Sequence, residues 1–158
     1  MLQFFAKILA KLAALKYRRR IEEALALHHR GEVRRDGLKL ISCSTRLELE
    51  WYARDIHPWD RADSAEKRAS LFVHQSMVDT EGAIGRLFGL LPEIDAIAVT
   101  IREQGSDHVI MAGTVHRSAP IPDNNLSLGM QLRQRGLEYY SDGFRFEPLT
   151  SIDEPCSS

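Results

Sequence analysis

Nine residues in the first half of the chain, Arg46–Arg54, read RLELEWYAR and define the first strand of the predicted fold. Apolar side chains occupy every second position from Leu47 onward, and charged or polar side chains occupy most positions between them. Because successive side chains of a strand point to opposite faces of a sheet, this alternation predicts a half-buried strand. Leu38 and Leu40 are out of phase with it, so we expect a bulge or turn near residues 42–45.

The segments after this strand alternate between helical and strand patterns. Asp63 with Glu66 marks the start of a long helix, and Pro92 marks its end. Gly105 lies in the loop of a predicted hairpin, and Gly136 ends a short helix that is capped within 123–125. Asp142 with Gly143 marks the turn of a last strand pair. The resulting order, strand, helix, strand, strand, helix, strand, is that of the ferredoxin-like (βαββαβ) fold. It predicts an α+β domain with an antiparallel sheet, two helices on one face and an open second face.

The first twenty residues, MLQFFAKILAKLAALKYRRR, predict a long amphipathic helix ahead of this domain. Large apolar side chains recur at helical spacing, lysines lie between them, and three arginines follow. Residues 1–39 carry ten Lys/Arg and four Asp/Glu, a charge of +6, whereas the rest of the chain carries −7. This pattern is typical of an interfacial helix on anionic lipid, and a helix docked on its own core or on a partner subunit has the same pattern.

We therefore expect a binding or scaffolding module that is attached through this helix to an acidic membrane surface or a partner protein. Self-association into oligomers is a further expectation, and nucleic-acid binding by the basic helix is a less favoured alternative. Enzymatic activity is not favoured, and no cofactor is expected. The residues predicted to contact the membrane or partner are the apolar Phe4, Phe5, Ile8, Leu9 and Leu12 and the basic Lys7, Lys11, Arg18, Arg19 and Arg20.

The segment WYARDIHPWD, residues 51–60, raises a different possibility. Asp55, His57 and Asp60 are residue types that bind divalent metals, and a bound metal activates water, so a metal-dependent hydrolase is the alternative function. The favoured interpretation is structural. In it Asp55 pairs with a neighbouring arginine, the segment from His57 forms a turn, Asp60 or Asp63 caps the next helix, and both tryptophans of the chain fill the core.

The chain is predicted to have three parts. Residues 1–30 form the basic helical arm, residues 31–147 form a single α+β domain, and residues 148–158 form a disordered polar tail. Two cysteines cannot build a disulfide framework, no secretory signal is apparent, and no apolar run is long enough to span a membrane. These features predict a cytoplasmic protein, with peripheral attachment at the inner face of the membrane as a further expectation.

Overall fold

The computed structural model describes residues 2–28, 38–43 and 45–149. Within these ranges the protein has a mixed α+β architecture, in agreement with the predicted fold class. Its elements, in chain order, are α1 (Leu2–His28), β1 (Leu38–Cys43), β2 (Arg46–Tyr52), a 3-10 helix (Pro58–Ala62), α2 (Ala65–Leu90), β3 (Ala96–Arg102), β4 (Val109–His116), α3 (Leu128–Gln134), β5 (Leu137–Glu138), β6 (Tyr140–Ser141) and β7 (Phe146–Glu147).

The main sheet has the strand order β1-β2-β3-β4-β5, and this order is not the predicted ferredoxin-like one. β2 and β3 are direct parallel neighbours, whereas the β1–β2, β3–β4 and β4–β5 pairs are antiparallel. In a split βαβ fold another strand lies between the two strands that the first helix joins. Here β3 pairs directly with β2, and β4 lies on the far side of β3 instead of between them. The sheet is mixed rather than antiparallel.

The alternation in β2 separates a buried face of the sheet from a polar one. Leu47, Leu49 and Trp51 are buried, and so are the β3 residues paired with them. Together with Ile84 of α2 and Leu132 of α3 they belong to one hydrophobic core. Helices α2 and α3 thus both contribute to the core on this face, as the alternating pattern requires.

The opposite face of β2 and β3 carries charged and polar side chains. Glu50 and Arg102 form an ion pair at 3.0 Å across the two strands. At the end of the same face the Tyr52 hydroxyl donates a hydrogen bond to Asp107 at 2.5 Å. That bond, followed by partial desolvation, raises the pKa of the Tyr52 phenol. Charged and polar side chains of this face thus pair with each other or with the loop that follows β3.

Helix α2 begins one residue later than its capping signal predicts. Ser64 is the N-cap, and its hydroxyl accepts a hydrogen bond from the Lys67 backbone N–H at 3.3 Å. The predicted cap, Asp63, instead forms an ion pair with the Lys67 ammonium at 3.0 Å. Both Asp63 and Ser64 are residue types that accept hydrogen bonds from the free N–H groups at a helix start, and a carboxylate is also favoured by the partial positive charge there. The sequence alone therefore did not show which of the two is the N-cap. The helix ends at Leu90, just before Pro92, as predicted.

Two glycines allow β5 to approach β4 closely. Gly136 follows α3 with φ of +105°, and Gly113 lies in β4 with φ of +153°. A Cβ atom at Gly113 would lie 2.2 Å from the Gly136 carbonyl oxygen, so only a residue without a side chain fits there. Gly136 has the predicted helix-ending role, whereas the N-cap of α3 is Ser127 rather than a residue within 123–125.

Candidate functional site

Six large apolar side chains of α1 are exposed to solvent along the first half of the helix. Their exposed fractions range from 39% at Ile8 to 68% at Phe4. Residues three or four positions apart lie on the same side of a helix, so these six form one continuous surface. We call this surface the apolar stripe: Phe4, Phe5, Ile8, Leu9, Leu12 and Leu15.

The second half of α1 contacts the body of the protein through the side of the helix that is opposite to the apolar stripe. Ile21 is completely buried in the core, and Tyr17 packs against it. With about 3.6 residues per turn, Ala6, Ala10 and Ala14 fall on the same side as Tyr17 and Ile21. The apolar stripe lies on the other side of the helix. It is consequently turned away from the contact that holds α1 on the body.

A polar contact holds α1 on the body just after the exposed first half of the helix ends. The Tyr17 hydroxyl donates a hydrogen bond to Glu93 at 2.5 Å, and the Arg20 guanidinium forms an ion pair with the same carboxylate at 3.2 Å. Arg20 also donates to the backbone carbonyl of Leu90 at the end of α2. The bond from Tyr17 and, to a smaller extent, the charge of Arg20 lower the pKa of Glu93. The carboxylate is thereby held ionised between the two α1 side chains.

The same helix carries six basic residues and no acidic residue before Glu22: Lys7, Lys11, Lys16, Arg18, Arg19 and Arg20. All but Arg20 are exposed. Arg19 forms an exposed i,i+4 ion pair with Glu23 at 3.2 Å. Basic side chains thus accompany the apolar stripe along its length and continue beyond its end.

All ten predicted contact residues lie on α1, and the structure differs from the prediction in the surroundings of Arg20 and in two further exposed residues. Arg20 was predicted to supply charge to an external surface, but its guanidinium is bound to Glu93 and the Leu90 carbonyl. Leu15 and Lys16 extend the exposed surface beyond the predicted residues. The signal for Leu15 was present in the sequence, because it follows Leu12 by three positions.

Two of the three residues of the metal hypothesis, Asp55 and His57, have local structural partners. Asp55 lies 3.4 Å from the guanidinium of Arg61, and His57 Nδ1 accepts the Trp59 backbone N–H at 3.3 Å. Asp60 lies in the first turn of the 3-10 helix. Among the residues that the structure describes, no group of three His, Cys, Asp or Glu side chains is arranged to hold a metal ion. The local geometry matches the structural alternative, in which His57 caps a turn.

Trp59 is exposed, which differs from the predicted core position. Its exposed fraction is 86%, and its ring lies edge-on to the His57 ring with the centroids 5.2 Å apart. Trp51, in contrast, is buried as predicted. Strand alternation places Trp51 on the core face, whereas no residue of the 3-10 helix that contains Trp59 is buried.

A charged contact anchors the start of this segment to α2. The Arg54 guanidinium binds the buried carboxylate of Asp79 with two hydrogen bonds, at 2.5 and 3.1 Å. The Gln75 amide nitrogen donates to the backbone carbonyls of Arg54 and Asp55, each at 3.1 Å. These contacts hold the chain against α2 as it leaves β2, and we interpret them as structural.

Within the described ranges, none of the helices has both the length and the apolar character that crossing a membrane requires. No family model matches this chain, and none of the curated proteins or solved structures with which it was compared matches it either.

Proposed function

We propose that the protein is a peripheral membrane module whose helix α1 lies on an anionic lipid surface and holds the α+β body next to it. The observation that carries this proposal is the orientation of the apolar stripe. Its six large side chains are exposed on the side of α1 that is turned away from the body contact at Tyr17 and Ile21. Burying the stripe therefore requires no rearrangement of that contact.

Binding of α1 to lipid draws on both the apolar and the basic side chains. Complete removal of one large apolar side chain from water contributes about 1.5–3 kcal/mol. With half of that realised at a lipid interface, the six side chains of the stripe would contribute on the order of 5–9 kcal/mol. Each basic residue close to an anionic surface adds about 1 kcal/mol. These gains oppose the loss of translational and rotational freedom on binding, and both sets of residues are expected to matter.

Charge favours lipid over the other occupants of the stripe. Two copies of α1 packed stripe to stripe would bring together helices that each carry six basic residues and no acid before Glu22. Nucleic acid would neutralise these charges but would leave the apolar side chains in water. An anionic bilayer satisfies both, because it accepts apolar side chains below a layer of negative headgroups.

The test compares two triple variants in cosedimentation with vesicles that contain phosphatidylserine. In the stripe variant, Phe5, Leu9 and Leu12 are replaced by serine. In the control variant, Ala6, Ala10 and Ala14 are replaced by serine on the opposite side of the helix. Both variants lose helix propensity, but only the first loses large apolar side chains. We expect the stripe variant to lose more than tenfold in affinity, equivalent to more than about 1.4 kcal/mol, and the control to change much less.

Equal binding of the two triple variants would contradict the proposal. Sedimentation velocity without lipid distinguishes the rival occupant. A wild-type dimer that becomes monomeric in the stripe variant would assign the stripe to a second copy of the chain instead.

A further inference from the structure

A groove of about 370 Å³ opens between α2, α3 and the loop that follows β4. It lies on the side of α2 that carries Phe88, whereas the contact with α1 involves Leu90. Neither Leu90 nor Glu93, the two residues that Arg20 of α1 contacts, lines the groove, so the groove and the α1 contact are separate surfaces. This volume is within the range of small-molecule sites.

Two arginines line the groove, and one of them, Arg117, is hydrogen-bonded to backbone carbonyls. The Arg117 guanidinium donates to the carbonyls of Phe88, Leu91 and Ile94 at 2.8–3.1 Å. It also lies 4.6 Å from the centroid of the Phe88 ring. Arg117 therefore closes the C-terminal end of α2, and its stacked guanidinium and the Phe88 ring together form one wall of the groove.

The other arginine, Arg135, has no close acceptor among the described residues. The side chain of Arg135 is only 20% exposed, and its guanidinium lies 4.0 Å from the Glu81 carboxylate, beyond hydrogen-bond distance. It donates no hydrogen bond to any of the residues that the structure describes. A guanidinium has five N–H donors, and those of Arg135 are available to an acceptor that enters the groove.

We infer that this groove binds a carboxylate attached to an apolar group, with Arg135 as the bidentate anchor. The planar guanidinium matches a carboxylate in geometry, and Leu132 and Pro120 provide apolar walls beside Phe88. Glu81 offsets part of the positive charge of the two arginines, which suits a single negative charge better than a doubly charged phosphate. The chemistry is shared by two sources, namely a free carboxylic acid and the C-terminal carboxylate of a peptide.

The test is a titration of the ¹⁵N-labelled full-length protein followed by NMR. The probes are 3-phenylpropionate and its neutral counterpart 3-phenylpropionamide, and then acetyl-alanyl-phenylalanine with a free or an amidated C-terminus. We expect the carboxylates to shift the amide signals of residues 117–124 and 131–135, and the neutral amides to bind at least tenfold more weakly. Tighter binding of the free acid or of the peptide identifies the source. Equal shifts from charged and neutral probes would overturn the inference.

Variants with opposite expected effects make the assignment specific. Arg135→Gln should abolish the carboxylate-dependent shifts. Glu81→Gln removes the carboxylate that competes for Arg135, and it should tighten binding several-fold without disturbing the core, because Glu81 is half exposed. Arg145→Gln, an exposed arginine in the turn between β6 and β7, is the matched control and should leave binding unchanged. Weaker binding in Glu81→Gln, or unchanged binding in Arg135→Gln, would refute the site.

Discussion

At the scale of single residues, Asp79 shows how a buried charge is stabilised in this fold. It is buried in α2, and the Arg54 guanidinium satisfies it with two hydrogen bonds. Asp79→Ala removes both bonds, but the partly exposed Arg54 can still be hydrated. We expect a loss of about 1.5–3 kcal/mol in the free energy of unfolding, measured by urea denaturation.

The control for this prediction is Arg61→Ala. It removes the ion pair with Asp55, in which both side chains are largely exposed. Exposed pairs contribute little, so the expected loss is below about 1 kcal/mol. Comparable losses in the two variants would mean that burial does not determine the strength of the Asp79 contact.

Glu93 gives the α1 contact a dependence on pH. The hydrogen bond from Tyr17, then a backbone hydrogen bond and, to a smaller extent, the charge of Arg20 lower its pKa below the ordinary value of 4.5. A carboxylate whose pKa is lowered by folding stabilises the folded state above its unfolded pKa, and this contribution is lost as the pH falls through the folded pKa. The stability difference between wild type and Glu93→Gln should therefore be constant at neutral pH and shrink below pH 4.5. A difference that stays constant down to strongly acidic pH would contradict this account of the contact.

The burial of a side chain could be predicted from the sequence where the apolar pattern is periodic, and it could not be predicted where the side chain lies in a turn. Alternation located Trp51 in the core, because a strand has only two faces. Trp59 has no such periodic constraint, and the 3-10 helix leaves it exposed. Arg135 could not be recognised from sequence, because its weak contact depends on how far α3 lies from α2.

At the scale of elements, α2 contains glycines that its packing does not require. A methyl group at Gly85 or Gly89 would meet no atom within 4 Å. Replacing either by alanine should raise the free energy of unfolding by about 0.5–1 kcal/mol, since glycine loses more backbone entropy in a helix. Gly136→Ala is the contrasting variant. Its new Cβ would lie 2.4 Å from the Thr114 carbonyl oxygen, so it should destabilise the protein in the same urea assay. Stabilisation by Gly136→Ala would contradict the close approach of β5 and β4.

Helix α1 should divide into an exposed part and a structural part. Deleting residues 2–15 removes side chains that are exposed from position 4 onward, so the free energy of unfolding should change by less than about 0.5 kcal/mol. Ile21→Ala should cost about 2–4 kcal/mol, because Ile21 is fully buried. Unfolding of the truncated protein would show that the first half of α1 supports the core.

At the scale of the whole molecule, the sequence indicated the α+β class and the element order but not the strand order. The order strand, helix, strand, strand, helix, strand is common to the ferredoxin-like fold and to the observed sheet. What separates them is the direct parallel pairing of β2 with β3, a contact between strands that no periodicity encodes. The register shift between Leu40 and Ser42 in the β1–β2 pair was visible only as a phase change in the apolar pattern.

The central proposal, that α1 attaches the protein to an anionic bilayer, also belongs to the scale of the whole molecule. The most direct measurement is cosedimentation of the intact protein with vesicles of anionic or neutral lipid at low and high salt. We expect binding to anionic vesicles only, weakened by salt as the charges of the basic residues are screened. Absence of binding to anionic vesicles at low salt, or equal binding to neutral and anionic vesicles, would contradict the account.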